Sequence, residues 1–307
     1  GRAWPVNWIQ VTVKVDGEAA EAVAEALRAF AHGGVSLEQA AADLSPGAAR
    51  PRLEDEITVS VYYPAAEDSP ARRRRLEEIL WHMSQLYPIP APAFQVVQEE
   101  DWANAWKQHY APLRIGRHLL ICPAWEAVQP RPGDVLIKMD PGMAFGTGLH
   151  PTTRMCLEAI EARARPGMNV LDVGTGSGIL AITAALLDAA PVLALDIDEV
   201  AVESARQNCA LNGVSDSVAV RRGSLADLEP SRQWDLILAN ILAPIILDML
   251  RAGMAGRLRP GGVIVLAGII EDQAPEVEDA LITHGLMLLE RLQIKDWVAL
   301  VAGRPVE

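Results

Sequence analysis

The sequence predicts an α/β protein. Its larger, C-terminal part is a doubly wound sheet closed by an antiparallel hairpin, and a smaller α+β domain precedes it. Three observations carry this. From about Arg131 short apolar runs alternate with helix-like segments, the pattern of parallel strands joined by crossover helices. Val170-Leu171-Asp172-Val173 then runs directly into Gly174-Thr175-Gly176-Ser177-Gly178, a buried strand ending in a glycine turn that opens a helix. Finally, only a short turn separates the runs Met287–Ile294 and Trp297–Val301, so the last two strands form a hairpin.

The elements follow in order. Trp8–Val15 alternates apolar and polar residues and reads as a strand. Glu18–Ala31 is Ala-rich and helical, ended by Gly33-Gly34. Val35–Gln39 and Ile57–Tyr63 read as strands, Ser69 caps a helix to about Leu86, and Phe94–Gln98 is a strand after a Pro-rich turn. The order βαββαβ is that of a ferredoxin-like unit. Residues 1–98 hold one helical histidine, His82, and no clustered acids or thiols with chemistry-like spacing. They read as a substrate-recognition domain, with a stabilising appendage as the alternative. Asp101–Tyr110 puts Trp102 and Trp106 on one helical face, so 99–130 is expected to be a linker helix and hinge. Residues 131–307 form the third segment. Its strands are Val170–Val173, Val192–Asp196, Val218–Arg221, Trp234–Ala239 and Val263–Ala267, with helices at Ile179–Leu187 and Val200–Asn212 among them. A parallel sheet with such a hairpin at its end is the usual form of a class I methyltransferase and unusual for a nicotinamide-binding domain; this is an analogy of fold.

Composition narrows the setting. The chain has 307 residues and a net charge of −13, which disfavours broad nucleic-acid binding. The charge suits either solubility or encounter with a basic partner. The basic run Arg72–Arg75 opens a helix and reads as a solvated face. Cys122, Cys156 and Cys209 are odd in number and widely spaced, so neither a metal site nor a disulfide framework is expected, and a reducing cytoplasm is. The strongest apolar run, Val263–Ile270, is too short for a membrane span. The start at Gly1-Arg2-Ala3 lacks the form of a signal peptide and reads as a processed or tag-derived end.

The glycine turn points to a ribose-containing cofactor, best read as S-adenosylmethionine. Glycines allow close backbone approach, and Asp196, at the end of the next apolar run, suits ribose hydroxyls. Asp198 caps the following helix, whose first turn holds Glu199. Gly174 and Gly176 are the candidate cofactor contacts in the turn. Asp172 holds either the turn or the amino-acid part of the cofactor. Gly176-Ser-Gly178-Ile-Leu-Ala181 also fits a dinucleotide fingerprint, so a nicotinamide oxidoreductase competes as a reading. Asn240 ends the fourth strand, where open α/β sheets bind ligands. Its side-chain carbonyl can accept from an amine and steer the lone pair, which makes it the candidate catalytic residue. An α-amine has a pKa of about 8 and lysine about 10.4, and desolvation lowers both, so alignment would supply most of the rate. In Phe145-Gly-Thr-Gly-Leu-His150-Pro-Thr-Thr153, Thr152 or Thr153 is expected to cap the next helix or bond the cofactor. His150 reads as structural, with a base as the alternative.

At these residues the chain resembles a family, the bacterial methyltransferases of ribosomal large-subunit protein eleven (PrmA type). The resemblance is strongest in Asp101-Trp-Ala-Asn-Ala-Trp-Lys107, Ile121-Cys-Pro123, Asp140–Thr153, Asp172–Gly178 and Asn240-Ile-Leu-Ala243, and the block from Asp140 is its most specific part. It implies S-adenosylmethionine as methyl donor. It implies multiple methylation of the α-amine and lysine ε-amines of ribosomal protein eleven, free or in the subunit, with no direct role for nucleic acid or membrane. It implies an N-terminal docking domain on a mobile linker, in a cytoplasmic enzyme taken as a monomer. Cofactor contacts are implied for Thr153, Gly174, Asp196 and Asn240. Thr175 stands where members often carry Cys, and the N-terminal domain matches only in general pattern. A lysine methyltransferase acting on another protein and a non-enzymatic binding protein are the other readings.

Overall fold

The computed structural model describes residues 7–17, 19–31, 35–39, 57–85, 87–98, 112–140, 150–229 and 231–306. The expected linker helix over Asp101–Tyr110 and the loop before His150 lie outside these residues. Contacts divide the chain into two units: Gly1–Arg114 with Cys122–Gln129 and Asp140–Phe145, and Ile115–Ile121 with Pro130–Met139 and Gly146–Glu307.

The first unit runs β1 (Asn7–Val15), α1 (Ala20–Arg28), β2 (Val35–Gln39), β3 (Ile57–Pro64), α2 (Pro70–Ser84) and β4 (Ala93–Gln98). Its antiparallel sheet has the order β2-β3-β1-β4. The period-two pattern of β1 buries Ile9, Val11, Val13 and Val15, and α1 and α2 bury Val23, Leu27, Leu76 and Leu80. Ser69 caps α2, accepting from Arg72 N at 3.2 Å, with Pro70 in the first turn. The basic run is only partly the solvated face that the sequence suggests. Arg73 pairs with Asp68 at 2.6 Å, and Asp68 accepts from the buried Tyr63 hydroxyl at 2.9 Å. Arg72 pairs with Glu67, donates to Phe30 O at 2.8 Å and lies 4.5 Å from the Tyr63 ring centroid. Burial, and then the bond to Asp68, push the Tyr63 hydroxyl up to about 12. Two of the four arginines therefore fasten the start of α2; Arg74 and Arg75 are exposed.

The second unit is built on a seven-stranded sheet of order β10-β9-β8-β11-β12-β14-β13. Its strands are β8 (Val170–Val173), β9 (Val192–Asp196), β10 (Val218–Arg222), β11 (Trp234–Asn240), β12 (Leu258–Ile270), β13 (Met287–Ile294) and β14 (Trp297–Gly303). The helices are α3 (Pro151–Arg163), α4 (Ile179–Leu186), α5 (Glu199–Leu211), α6 (Ala243–Arg251) and α7 (Ala274–Thr283). β8 to β12 are parallel, whereas β14 is antiparallel to both β12 and β13. This is the sheet with a closing hairpin that the sequence predicts. Strand order reverses between β8 and β11, which opens a crevice at their carboxyl ends. Leu171, Ile237, Ile264, Leu266 and Leu300 from the sheet, Ile246 and Leu250 from α6, and Val277 and Leu281 from α7 share one core.

Three strands are not read from the sequence: β5 (Leu113–Ile115), β6 (Leu119–Pro123) and β7 (Val135–Met139), which form a sheet of order β5-β6-β7. Each is too short to show a period. Glu161 of α3 accepts from Arg117 N at 2.8 Å and His118 N at 2.6 Å. Asn212 exchanges two hydrogen bonds with the Lys138 backbone, at 2.8 and 2.6 Å. Among the described residues no helix is long and apolar enough to cross a membrane.

Candidate active site

The glycine turn lies at the end of β8 and is fastened to the end of β9. Gly174 N and Thr175 N both donate to Leu195 O at 2.9 Å, and Gly176 N donates to Asp196 Oδ2 at 2.9 Å. Gly174, Gly176 and Gly178 have φ of +72°, +55° and +85°, a left-handed run that side chains with a Cβ resist. A Cβ on Gly174 would come within 2.5 Å of Ile241 Cγ2. The loop after β11 therefore closes directly over the turn.

Beneath the turn lies Asp172, fully buried. Its Oδ2 accepts from Thr175 Oγ1 at 2.6 Å and from Ala181 N at 3.2 Å, while Oδ1 has no hydrogen-bond partner. Of the two roles open in the sequence, holding the turn is the one these bonds describe. Burial raises the Asp172 carboxyl to about 7, although both hydrogen bonds pull the other way.

Asp196 is half-buried, and its Oδ1 accepts from Asp198 N at 3.0 Å. Asp198 caps α5 as expected, accepting from Val200 N at 3.0 Å. Each Asp196 oxygen thus has one backbone donor and retains a lone pair for a ligand.

Asn240 is the last residue of β11 and pairs with Ala267 of β12. Its Nδ2 donates to Thr153 Oγ1 at 3.2 Å. This bond uses one of the two amide N–H groups and, among the described residues, leaves the side-chain carbonyl without a donor. Thr153 is buried in the first turn of α3, so the structure brings these two predicted residues together from 87 positions apart in the chain.

Neither Thr152 nor Thr153 caps α3. The cap is His150, whose Nδ1 accepts from Thr152 N at 3.3 Å and lies 2.7 Å from Thr152 Oγ1. A neutral imidazole accepts as the hydroxyls of Ser and Thr do, and Pro151 follows it at the favoured first position. Burial depresses the His150 pKa to about 4, so the ring is neutral at pH 7. With Nδ1 committed to the helix end, His150 reads as structural.

Two contributors were missed in the sequence. Gly268 has φ +86°, and a Cβ there would meet Ile241 O at 2.3 Å; an isolated glycine inside the apolar run Val263–Ile270 is the signal that could have found it. Trp297 starts β14 and packs edge-on to His150, with ring centroids 4.7 Å apart. Among the described residues no group of three His, Cys, Asp or Glu gathers as a metal site. Cys122, Cys156 and Cys209 are buried and, among the described residues, form no disulfide.

The two titrations have opposite signs. The Asp172 pKa is raised, so its contribution to stability is full below about pH 4 and is lost as pH rises through about 7. The His150 pKa is depressed, so its contribution is full above about pH 6.5 and is lost as pH falls through about 4. Unfolding of wild type and Asp172→Asn in urea across pH 4–8 checks the first. The wild-type stability minus that of the variant should fall by roughly 4 kcal/mol over that range; a flat difference would show that Asp172 does not titrate there.

Comparison with known proteins agrees with this geometry. The model of the family described as "Ribosomal protein L11 methyltransferase (PrmA)" matches residues 7–305. A ribosomal protein L11 methyltransferase of Chloroflexus aurantiacus is 41% identical over 97% of this chain and 98% of its own length. One from Pelotomaculum thermopropionicum is 42% identical over 97% and 99%. The crystal structure of a ribosomal protein L11 methylase from Lactobacillus delbrueckii subsp. bulgaricus matches with a TM-score of 0.59 and 38% identity, over 64% of this chain and 100% of that one. The nicotinamide reading falls with these matches: a class I methyltransferase sheet with its closing hairpin, matched along nearly its whole length, identifies the chain as a member of the ribosomal protein L11 methyltransferase (PrmA) family.

Proposed function

We propose that the protein is an S-adenosylmethionine-dependent N-methyltransferase that methylates the α-amine and lysine ε-amines of ribosomal protein L11, up to the trimethyl state. The observation that carries the reading is Asn240 at the carboxyl end of β11, hydrogen-bonded through an amide N–H to Thr153 with its carbonyl available to an amine. The relatives' names supply the substrate.

The residues present fit the cofactor. A glycine turn with Gly174, Gly176 and Gly178 all at positive φ, and an Asp196 carboxylate with a spare lone pair on each oxygen, suit a nucleoside with ribose hydroxyls. Thr153, Gly174, Gly176, Asp196 and Asn240 would hold it. When bound, S-adenosylmethionine supplies an electrophilic methyl group on a sulfonium. The chain's own work is to orient the incoming amine. Asn240 Oδ1 accepts one amine N–H and fixes the direction of the lone pair. Desolvation favours the neutral amine that methyl transfer needs.

The first unit is read as a ferredoxin-like recognition module, which the element order βαββαβ and the strand order β2-β3-β1-β4 support. The reading keeps the division into a recognition domain over 1–98, a linker over 99–130 and a methyltransferase domain over 131–307. Three buried cysteines with no disulfide among the described residues suit a reducing cytoplasm, and the enzyme is taken to act as a monomer without nucleic acid or membrane.

The direct test is intact-mass analysis of purified L11 after incubation with the enzyme and S-adenosylmethionine. Whole-methyl increments at the N-terminus and lysines are expected. No increment, with cofactor binding measured separately, would move the substrate to another amine-bearing protein. Asn240→Ala should lower kcat by about tenfold or more and weaken cofactor binding less; unchanged turnover would remove the amine-steering role. Deleting residues 1–98 should leave cofactor binding, measured by calorimetry, and abolish methylation of folded L11. Normal activity in the truncated chain would remove the docking role.

A further inference from the structure

We propose that Trp297, at the turn of the closing hairpin, is a positioning residue for methyl transfer, because it sets the register of α3 and through it the orientation of Asn240. This rests on the reading of Asn240 given above.

α3 is packed along its length by Met155, Cys156, Leu157, Ala159 and Ile160, held through Glu161, and tied at both ends. Its first turn carries Thr153, the partner of Asn240. Its N-cap, His150, meets Trp297 edge-to-face at 4.7 Å between centroids and 73° between ring planes. At its far end Arg163 Nη2 meets Glu290 Oε2 of β13 at 2.5 Å. These anchors are separated by most of the helix, about 20 Å at 1.5 Å per residue, and both reach the β13–β14 hairpin. The anchors are unequal. Arg163 and Glu290 are partly exposed, and such pairs hold weakly. His150 is buried, and its Nδ1 is committed to Thr152.

Trp297 is itself fixed. Its backbone pairs with Ile294 of β13 and Ile270 of β12. β12 also pairs with β11, placing Ala267 beside Asn240. A closed circuit results: sheet, Trp297, His150, first turn of α3, Thr153, Asn240, and back into the same sheet. Thr153 lies three residues along the same helix from His150, so a shift of the His150 ring moves Thr153 relative to Asn240. Thr153 is the described hydrogen-bond partner of the Asn240 side chain, so the effect falls on where that side chain is held and on alignment of the amine.

The test is a double-mutant cycle on the full-length enzyme, with L11 and S-adenosylmethionine as substrates, reading kcat, KM for L11 and the cofactor Kd. Trp297→Leu should lower kcat by about tenfold or more with little change in cofactor Kd. Trp297→Phe, which keeps an aromatic edge against His150, should restore most of the loss. His150→Asn keeps a good helix cap but removes the ring, so it should resemble Trp297→Leu. The double variant Trp297→Leu/His150→Asn should be no slower than the slower single variant, because both break one link. Wild-type kcat in Trp297→Leu, or losses that multiply in the double variant, would overturn the proposal. Should Trp297→Leu fail to fold, Trp297→Met replaces it in the cycle. Asn240→Ala run alongside separates the two readings. If it turns over like wild type, the Asn240 role fails and this inference with it; if it is slow while Trp297→Leu is not, this inference alone fails.

Discussion

Asp172 is a carboxyl group with no access to solvent, set in the middle of a parallel sheet between Leu238 of β11 and Ala194 of β9. Burying such a group is costly unless it is hydrogen-bonded, and Thr175 and Ala181 supply the bonds. In doing so they fold the chain back over the strand end and start α4 immediately after the glycines. The turn that results points its next N–H groups at Leu195 and Asp196 of the neighbouring strand. One buried acid thus fixes the turn, the turn fixes the distance between β8 and the end of β9, and Asp196 is left at the crevice with spare acceptor capacity. With its pKa raised to about 7, Asp172 is about half protonated near neutrality, which lessens the cost of its burial.

The other half of the crevice depends on close backbone approach. The loop from Asn240 to Leu242 passes over Gly268 on one side and Gly174 on the other, each too close for a Cβ. Ile241 fills the gap between the two glycines, and Asn240, one residue earlier, is held at the strand end. α3 completes the arrangement by bringing Thr153 to the Asn240 amide. The residues that would do the chemistry are few, and most of the surrounding structure serves to hold them at a fixed separation.

The two units use charge differently. In the first, Tyr63, Asp68, Arg72, Arg73 and Glu67 form a connected set at the start of α2, so part of an apparent basic patch is consumed in folding. In the second, the arginines near the base of the sheet serve backbone carbonyls: Arg257 donates to Glu229 O, and Arg304 to Leu258 O. The buried Arg257 thereby satisfies carbonyls of an irregular segment that lack a strand partner.

Much of this could be read from residues alone, because the determining patterns are local. Period-two alternation gave β1, and apolar runs between helical segments gave β8 to β12. A glycine run after an acid gave the cofactor turn, and the short gap between Met287–Ile294 and Trp297–Val301 gave the closing hairpin. Asp196 and Asn240 were legible because each ends an apolar run at a position where such sheets bind ligands. What the chain order could not show was anything set by approach across the fold. β5, β6 and β7 are three to five residues long, and their existence is decided by pairing with one another. His150 became the cap of α3, in place of Thr152 or Thr153, because the neutral ring reaches Thr152 N and is buried against Trp297, a residue 147 positions later in the chain. Sequence spacing fixes which residues lie at strand ends and turns; only tertiary packing decides which of those ends meet, since the meeting distances are set by side chains from other parts of the chain.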